Sequence, residues 1–156
     1  MMDDIEAIKQ LKARYFRTLD TKDWGAFSDV FTDDFVSDTS EAGGTVVEGK
    51  TAFIDYVKKN IGNSITVHHG HMPEIEITSA TTAAGYWAME DLVRFGWIEL
   101  HGFGHYTETY EKIADKWYIK SSKLTRLREN IQTAFFSILV SERMRSWMQK
   151  AAARRA

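Results

Sequence analysis

The feature that most constrains this chain is a change of hydrophobic period at Ile65. Up to that point apolar residues recur at three- and four-residue steps. Beyond it they alternate, through runs at about 65–78, 82–97, 100–113 and 116–127. Only "SATT", "GW" and "ADK" separate these runs, and links that short oblige consecutive strands to pair antiparallel. The first part of the chain supplies helices. Ile5, Ile8, Leu11, Tyr15 and Leu19 form one stripe over residues 4–19. Asp20 or Thr21 then caps a second helix with Trp24, Phe27 and Phe31 inward, and a third helix over about 50–60 presents Phe53, Ile54 and Val57. Between them "SDTSEAGGTVVEG" reads as a hairpin region with Gly43-Gly44 at its tip. After residue 128 the spacing of Ile131, Phe135, Ile138 and Leu139 predicts a C-terminal helix over 129–156, packed on the domain or on a neighbouring subunit. Helices followed by a meander of long strands define an α+β domain over 1–128, in which helices cover one face of a curved sheet. Such a sheet is a cone with a cavity inside.

The 156 residues suffice for one domain with a real core. The absence of cysteine excludes disulfides, thiolate metal sites and thiol nucleophiles, and points to a reducing, cytoplasmic setting. The N-terminus lacks a basic region followed by an apolar run, and no apolar stretch approaches the about 20 residues of a membrane span. Net charge is −2, with basic residues scattered apart from Arg154 and Arg155, which argues against a nucleic-acid partner.

Several polar residues invite a chemical reading. In "YWAMEDLVRFGW" one strand face carries Trp87, Met89, Asp91, Val93 and Phe95. A carboxylate on that apolar face is either turned outward by a bulge or held inside a cavity, where burial would raise its pKa and suit it to proton donation. Its four apolar neighbours are the predicted walls. Asp20 is a helix cap or a site residue; Tyr15 is a core tyrosine or a hydrogen-bond donor to substrate. "VHHGHMP" places His68, His69 and His71 within four positions, and a regular strand puts His68 on the face opposite the other two. His-x-His alone is a weak metal signal, so the expectation is no metal and one histidine facing the cavity for proton transfer. His71, beside Pro73, is a candidate substrate contact. Arg126, at the end of the last strand, is exposed or pairs inward with a carboxylate or an anionic substrate group.

Taken in order, "IEAIKQLKARYFRTLDTKDW", "VHHGHMPEIEI", "YWAMEDLVRF" and "GHYTETYEKIADKWYI…LTRLR" resemble the SnoaL-like branch of the nuclear transport factor 2-like superfamily, over about residues 3–128. The likeness is to its dehydratases of the bile acid 7α-dehydratase and scytalone dehydratase kind. The resemblance implies a cone-shaped sheet wrapped by three helices and a cofactor-independent dehydratase acting on a hydrophobic hydroxylated carbonyl compound of steroid, terpenoid or aromatic type. It implies His68 as base, Asp20 as its partner, Tyr15 as donor to the substrate oxygen, and Asp91 and Arg126 as polar pocket residues. It also implies a homo-oligomer, trimer or dimer. Isomerase-like, cyclase-like and non-catalytic ligand-binding members share the fold. The C-terminal segment and "GHY" near His105 depart from the bile acid enzyme, so a bile acid is not the expected substrate.

Overall fold

The computed structural model describes residues 3–153; Arg154 and Arg155 lie outside the described residues. Helix α1 (Asp4–Asp20) opens with Asp4 and Glu6 in its first turn, where they complement the helix dipole. Its buried stripe is Ile8, Leu11, Tyr15 and Leu19, joined by Lys12 and Thr18. After it come α2 (Trp24–Ser28), β1 (Phe31–Asp38), a short 3-10 turn (Ser40–Ala42), β2 (Val46–Glu48) and α3 (Lys50–Ile61). Four long strands follow: β3 (Ile65–Ile77), β4 (Thr82–Phe95), β5 (Ile98–Ile113) and β6 (Lys116–Gln132). The chain closes with β7 (Ser137–Leu139) and α4 (Glu142–Ala153).

The strands form one curled, unclosed sheet in the order β2-β1-β6-β5-β4-β3, with β7 added beside the end of β6. Every pairing is antiparallel except β1 with β6. Helix α1 packs against β3 and β6, and α3 against β1 and β2. Between helices and sheet, Phe27, Phe31, Phe35 and Phe53 stack in edge-on and tilted pairs with centroids 4.3–6.1 Å apart. They form the centre of the core with Ile8, Leu11 and Ile119. Gly49, at φ 88, makes the left-handed step between β2 and α3 that a side-chain-bearing residue resists.

Two expectations fail here. Phe31 does not sit on the second helix, which ends at Ser28; it begins β1, and Phe31 and Phe35 both face the core. The run Val30-Phe31-Thr32 is β-branched and aromatic, and the backbone carbonyl of Val30 already accepts from Ile119 of β6 at 2.9 Å. The segment around Ile131, Phe135, Ile138 and Leu139 is a hairpin, not a helix. β6 continues to Gln132 because β5 offers it a ladder, pairing Leu100 with Ile131. Thr133 then turns the chain by accepting from the Phe135 and Phe136 amides, and β7 returns with Ile138 opposite Ile131. Helix occupies only Glu142 onward, where Arg145 reaches Glu129 at 3.8 Å and Gln149 donates to the Ser40 carbonyl.

Candidate active site

At the end of α1, Thr21 stops the helix and Lys22 adopts φ 60, turning the chain away while Asp20 still points at β3. The second helix is capped by Asp23, which accepts from the Ala26 amide at 3.2 Å. Asp20 is therefore not the cap that spacing allowed. Its Oδ1 lies 2.6 Å from His68 Nδ1 and accepts from Thr66 Oγ1 at 2.9 Å, while its Oδ2 accepts from the His68 backbone amide at 2.8 Å. A carboxylate can only accept, so the shared proton sits on Nδ1, and in the neutral ring the lone pair is on Nε2. Burial pushes the Asp20 carboxyl up, but the His68 ring, the His68 amide and Thr66 outweigh it and hold the pKa below its ordinary value. Lys22 donates to Thr66 at 2.7 Å and steadies the far side of the cluster.

His68 and Asp91 open into a cavity of about 130 Å³. Tyr15 and Tyr106 face it as well, with apolar walls from Leu19, Phe35, Phe53, Val57 and Leu124. Burial first, then the nearby Glu108 charge, push the Tyr15 hydroxyl well above the ordinary tyrosine value, and burial does the same to Tyr106. Both phenols stay protonated near neutrality and can donate to a substrate oxygen.

Asp91 is buried on the inner face, opposite His68 in the β3–β4 register. Arg126 donates to both its oxygens, at 2.7 and 2.6 Å. Burial disfavours the guanidinium charge, but the Asp91 bonds outweigh that and raise the Arg126 pKa. A carboxylate that receives a two-pronged guanidinium is an acceptor, which corrects the expectation of Asp91 as a proton donor. The pair fits because residue 102 is glycine. A Cβ there would stand 2.0 Å from Arg126 Nη1 and 2.5 Å from Asp91 Oδ1.

Other expected contacts fall elsewhere. Arg126 lines an adjoining groove with Ser40, Glu41, Glu142 and Arg145 and reaches the cavity only through Asp91. Trp87, Met89 and Val93 are buried on the predicted face but do not line the cavity. The Trp87 indole donates to Tyr110 at 2.8 Å, and Met89 packs with Trp87, Tyr106 and Leu124 in a second cluster. Phe95, the last residue of β4, is 42% exposed. His71 is exposed on the outer face, on the same side as His69 and away from the cavity. Pro73 does not bring it in: the bulge between His71 and Glu74, with Met72 at φ 42, falls after it.

Sequence reasoning missed a charged network behind the cavity. Lys12 is 0% exposed and Glu108 1%, and their ion pair measures 2.6 Å. Glu108 also accepts from Ser122 at 2.9 Å and Tyr110 at 2.6 Å, and the Lys12 ammonium sits 4.0 Å from the Tyr15 ring centroid and 3.9 Å from that of Tyr106. The available signal was that position 12 falls within the buried stripe of α1. Without its partner, 96 residues away, a lysine there reads as a helix flank.

The curled sheet and the helices that cover it define a cone of the nuclear transport factor 2-like type. Residues 1–123 match the SnoaL-like domain family, and the chain belongs to it. Among solved structures it is similar to a candidate scytalone dehydratase from Novosphingobium aromaticivorans, at 20% identity over 81% of this chain and 85% of that one, with a TM-score of 0.74. A protein of unknown function from Mycobacterium tuberculosis is 22% identical over 97% of this chain and 89% of the other, with a TM-score of 0.72. A hexachlorocyclohexane dehydrochlorinase, LinA type 2, is 17% identical over 88% of both chains, with a TM-score of 0.71. At these identities the likeness establishes the fold.

Proposed function

We propose that this chain is a cofactor-independent lyase that removes water from a hydrophobic hydroxylated carbonyl compound. The observation that carries the reading is the Asp20–His68 pair, in which half-buried Asp20 holds a buried His68 at a cavity that Tyr15 also lines. Asp20 fixes the histidine tautomer, so Nε2 is free to take the proton from the carbon next to the substrate carbonyl. The electrons move onto the carbonyl oxygen, where Tyr15 donates a hydrogen bond to the forming enolate. As the enolate collapses, the β-carbon–oxygen bond breaks. The hydroxyl leaves with the proton carried by the His68 imidazolium, giving an unsaturated product and water. Asp20 holds the charge His68 gains in between.

The leaving group is protonated by His68 because both Asp91 oxygens already accept from Arg126. A mechanism in which Asp20 is itself the base, as in an isomerase or cyclase of the same fold, fits less well, since both its oxygens are occupied. The names of two similar structures, a dehydratase and a dehydrochlorinase, support base-initiated elimination as the reaction class. Size narrows the substrate. An apolar cavity of about 150 Å³ holds a benzene, so about 130 Å³ favours the smallest, single-ring aromatic candidates, whereas a terpenoid or a steroid would need the cone to open.

The test is a mass-spectrometric screen of hydroxylated aromatic, terpenoid and steroid ketones for loss of water, run beside His68→Ala. Turnover lost in the variant supports the reading. Saturable ligand binding without turnover for every compound bound would make the protein a binding module instead.

A further inference from the structure

The four histidines other than His68 are all on the outer side of the sheet, and three of them gather around Glu90. His69 lies directly across from Glu90 in the β3–β4 register, and His71 is one pleat further along the same face. The two rings have centroids 5.8 Å apart, and His71 Nε2 stands 3.7 Å from Glu90 Oε2. One ligand atom from each of His69, His71 and Glu90 falls within 4.8 Å of the other two. The other carboxylate oxygen, Glu90 Oε1, accepts from His101 Nε2 at 2.8 Å, which fixes the plane of the carboxylate from the β5 side.

Two ligands each about 2.1 Å from a tetrahedral ion lie roughly 3.4 Å apart. The three donors are therefore within a small rotamer adjustment of closing on one ion. Two imidazoles and a carboxylate suit Zn²⁺, with Cu²⁺ and Ni²⁺ as competitors, and do not suit Mg²⁺ or Ca²⁺, which take oxygen shells.

We propose that His69, His71 and Glu90 form a divalent transition-metal site on the outer face of the sheet, with its fourth position open and His101 orienting the carboxylate. This goes against the expectation from spacing alone, in which His-x-His is a weak metal signal and no metal is bound. The site is separate from the cavity, because the strand that turns His69 and His71 outward turns His68 inward. Its ion would tie the edge strand β3 to β4 immediately after His68 and next to the bulge at Met72. The consequence is structural: metal should stiffen the strand that carries the proposed base without entering the chemistry.

The experiment is calorimetric titration of untagged, metal-stripped full chain with ZnCl₂ near neutral pH, with MgCl₂ as control. The expected result is one saturable Zn²⁺ per chain, no Mg²⁺ binding, and a Tm that rises with Zn²⁺. His69→Ala, His71→Ala and Glu90→Gln should each lose the binding and the Tm rise. His101→Ala should weaken binding about 10–100-fold, as loss of a ligand-orienting partner does, and His68→Ala should bind as the parent does. His69, His71, Glu90 and His101 are not buried, so circular dichroism should show their variants folded, and the same measurement checks the buried His68→Ala. The proposal is overturned if the parent binds no Zn²⁺ saturably, if the His69→Ala/His71→Ala double variant binds as well as the parent, or if His68→Ala abolishes binding.

Discussion

Replacing Lys12 by methionine tests the charged network behind the cavity without any knowledge of the substrate. Methionine keeps most of the lysine stem, so little volume is lost; what disappears is the ammonium 2.6 Å from Glu108. Glu108 would retain its bonds from Ser122 and Tyr110 but remain a charge with no counter-ion in a site only 1% exposed. Stranding one member of a buried pair costs about 3–5 kcal/mol, a large share of the about 5–15 kcal/mol that holds a domain of this size folded. At a urea slope of about 2 kcal/mol per molar, the unfolding midpoint should fall by roughly 1.5–2.5 M. Glu108→Gln strands the lysine instead and should cost a similar amount. The double variant Lys12→Met/Glu108→Gln removes both charges, leaves a neutral acceptor for Tyr110 or Ser122, and should be more stable than either single variant. Equilibrium urea unfolding of the four proteins decides the matter. A Lys12→Met cost below about 1 kcal/mol, the range of an exposed pair, or a double variant as unstable as the two singles added together, would refute the reasoning.

Gly102→Ala should displace the Arg126–Asp91 pair, since its Cβ has no room beside either side chain; a Tm equal to the parent's would show that the strand gives way instead. The depressed pKa of Asp20 means that its contribution to stability is present above the ordinary value of 3.8 and is lost only as pH falls through the lower folded value. The urea stability gap between the parent and Asp20→Asn should therefore hold near neutral pH and narrow only in acid, and a gap that closes between neutrality and that ordinary value would be inconsistent with it. Phe135, Phe136, Leu139 and Trp147 expose large apolar surface around the C-terminal hairpin and α4. Light scattering is expected to show a homo-oligomer, trimer or dimer, at micromolar concentration, and a monomer would remove that expectation.

Strand periodicity was the most legible feature. The four long strands end within a few residues of the alternating runs, because alternation reports which face is buried and leaves little freedom in register. Three-and-four spacing was less decisive. Trp24, Phe27 and Phe31 fit a helix, yet Phe31 and Phe35 equally fit one face of a strand, and β6 settled it by offering a partner. Ile131, Phe135, Ile138 and Leu139 misled for the same reason: β5 was already long enough to hold Ile131 in a ladder. At the site, alternation separated His68 from His69 and His71, and it put Asp91 on the face of Trp87 and Met89, leaving open a bulge that would turn it outward. It could not show whether Asp20 caps a helix or meets a histidine 48 residues away. Nor could it show that Arg126 would hold Asp91 as an acceptor, or that the cavity walls come from α1, α3, β1 and β6 and not from Trp87 and Met89. Those are long-range contacts, and local pattern carries no record of them.

The central claim is that His68 and Asp20 act as one proton-transferring unit, and a double-mutant cycle on turnover tests it most directly. With a compound that loses water in the screen, His68→Ala and Asp20→Asn should each reduce kcat on the order of 10²–10⁴-fold. The double variant should fall little below the worse single one, because the aspartate works only through the histidine. His69→Ala, on the outer face, should stay near the parent's rate. Losses that multiply in the double variant, or near-normal turnover in His68→Ala, would contradict the account.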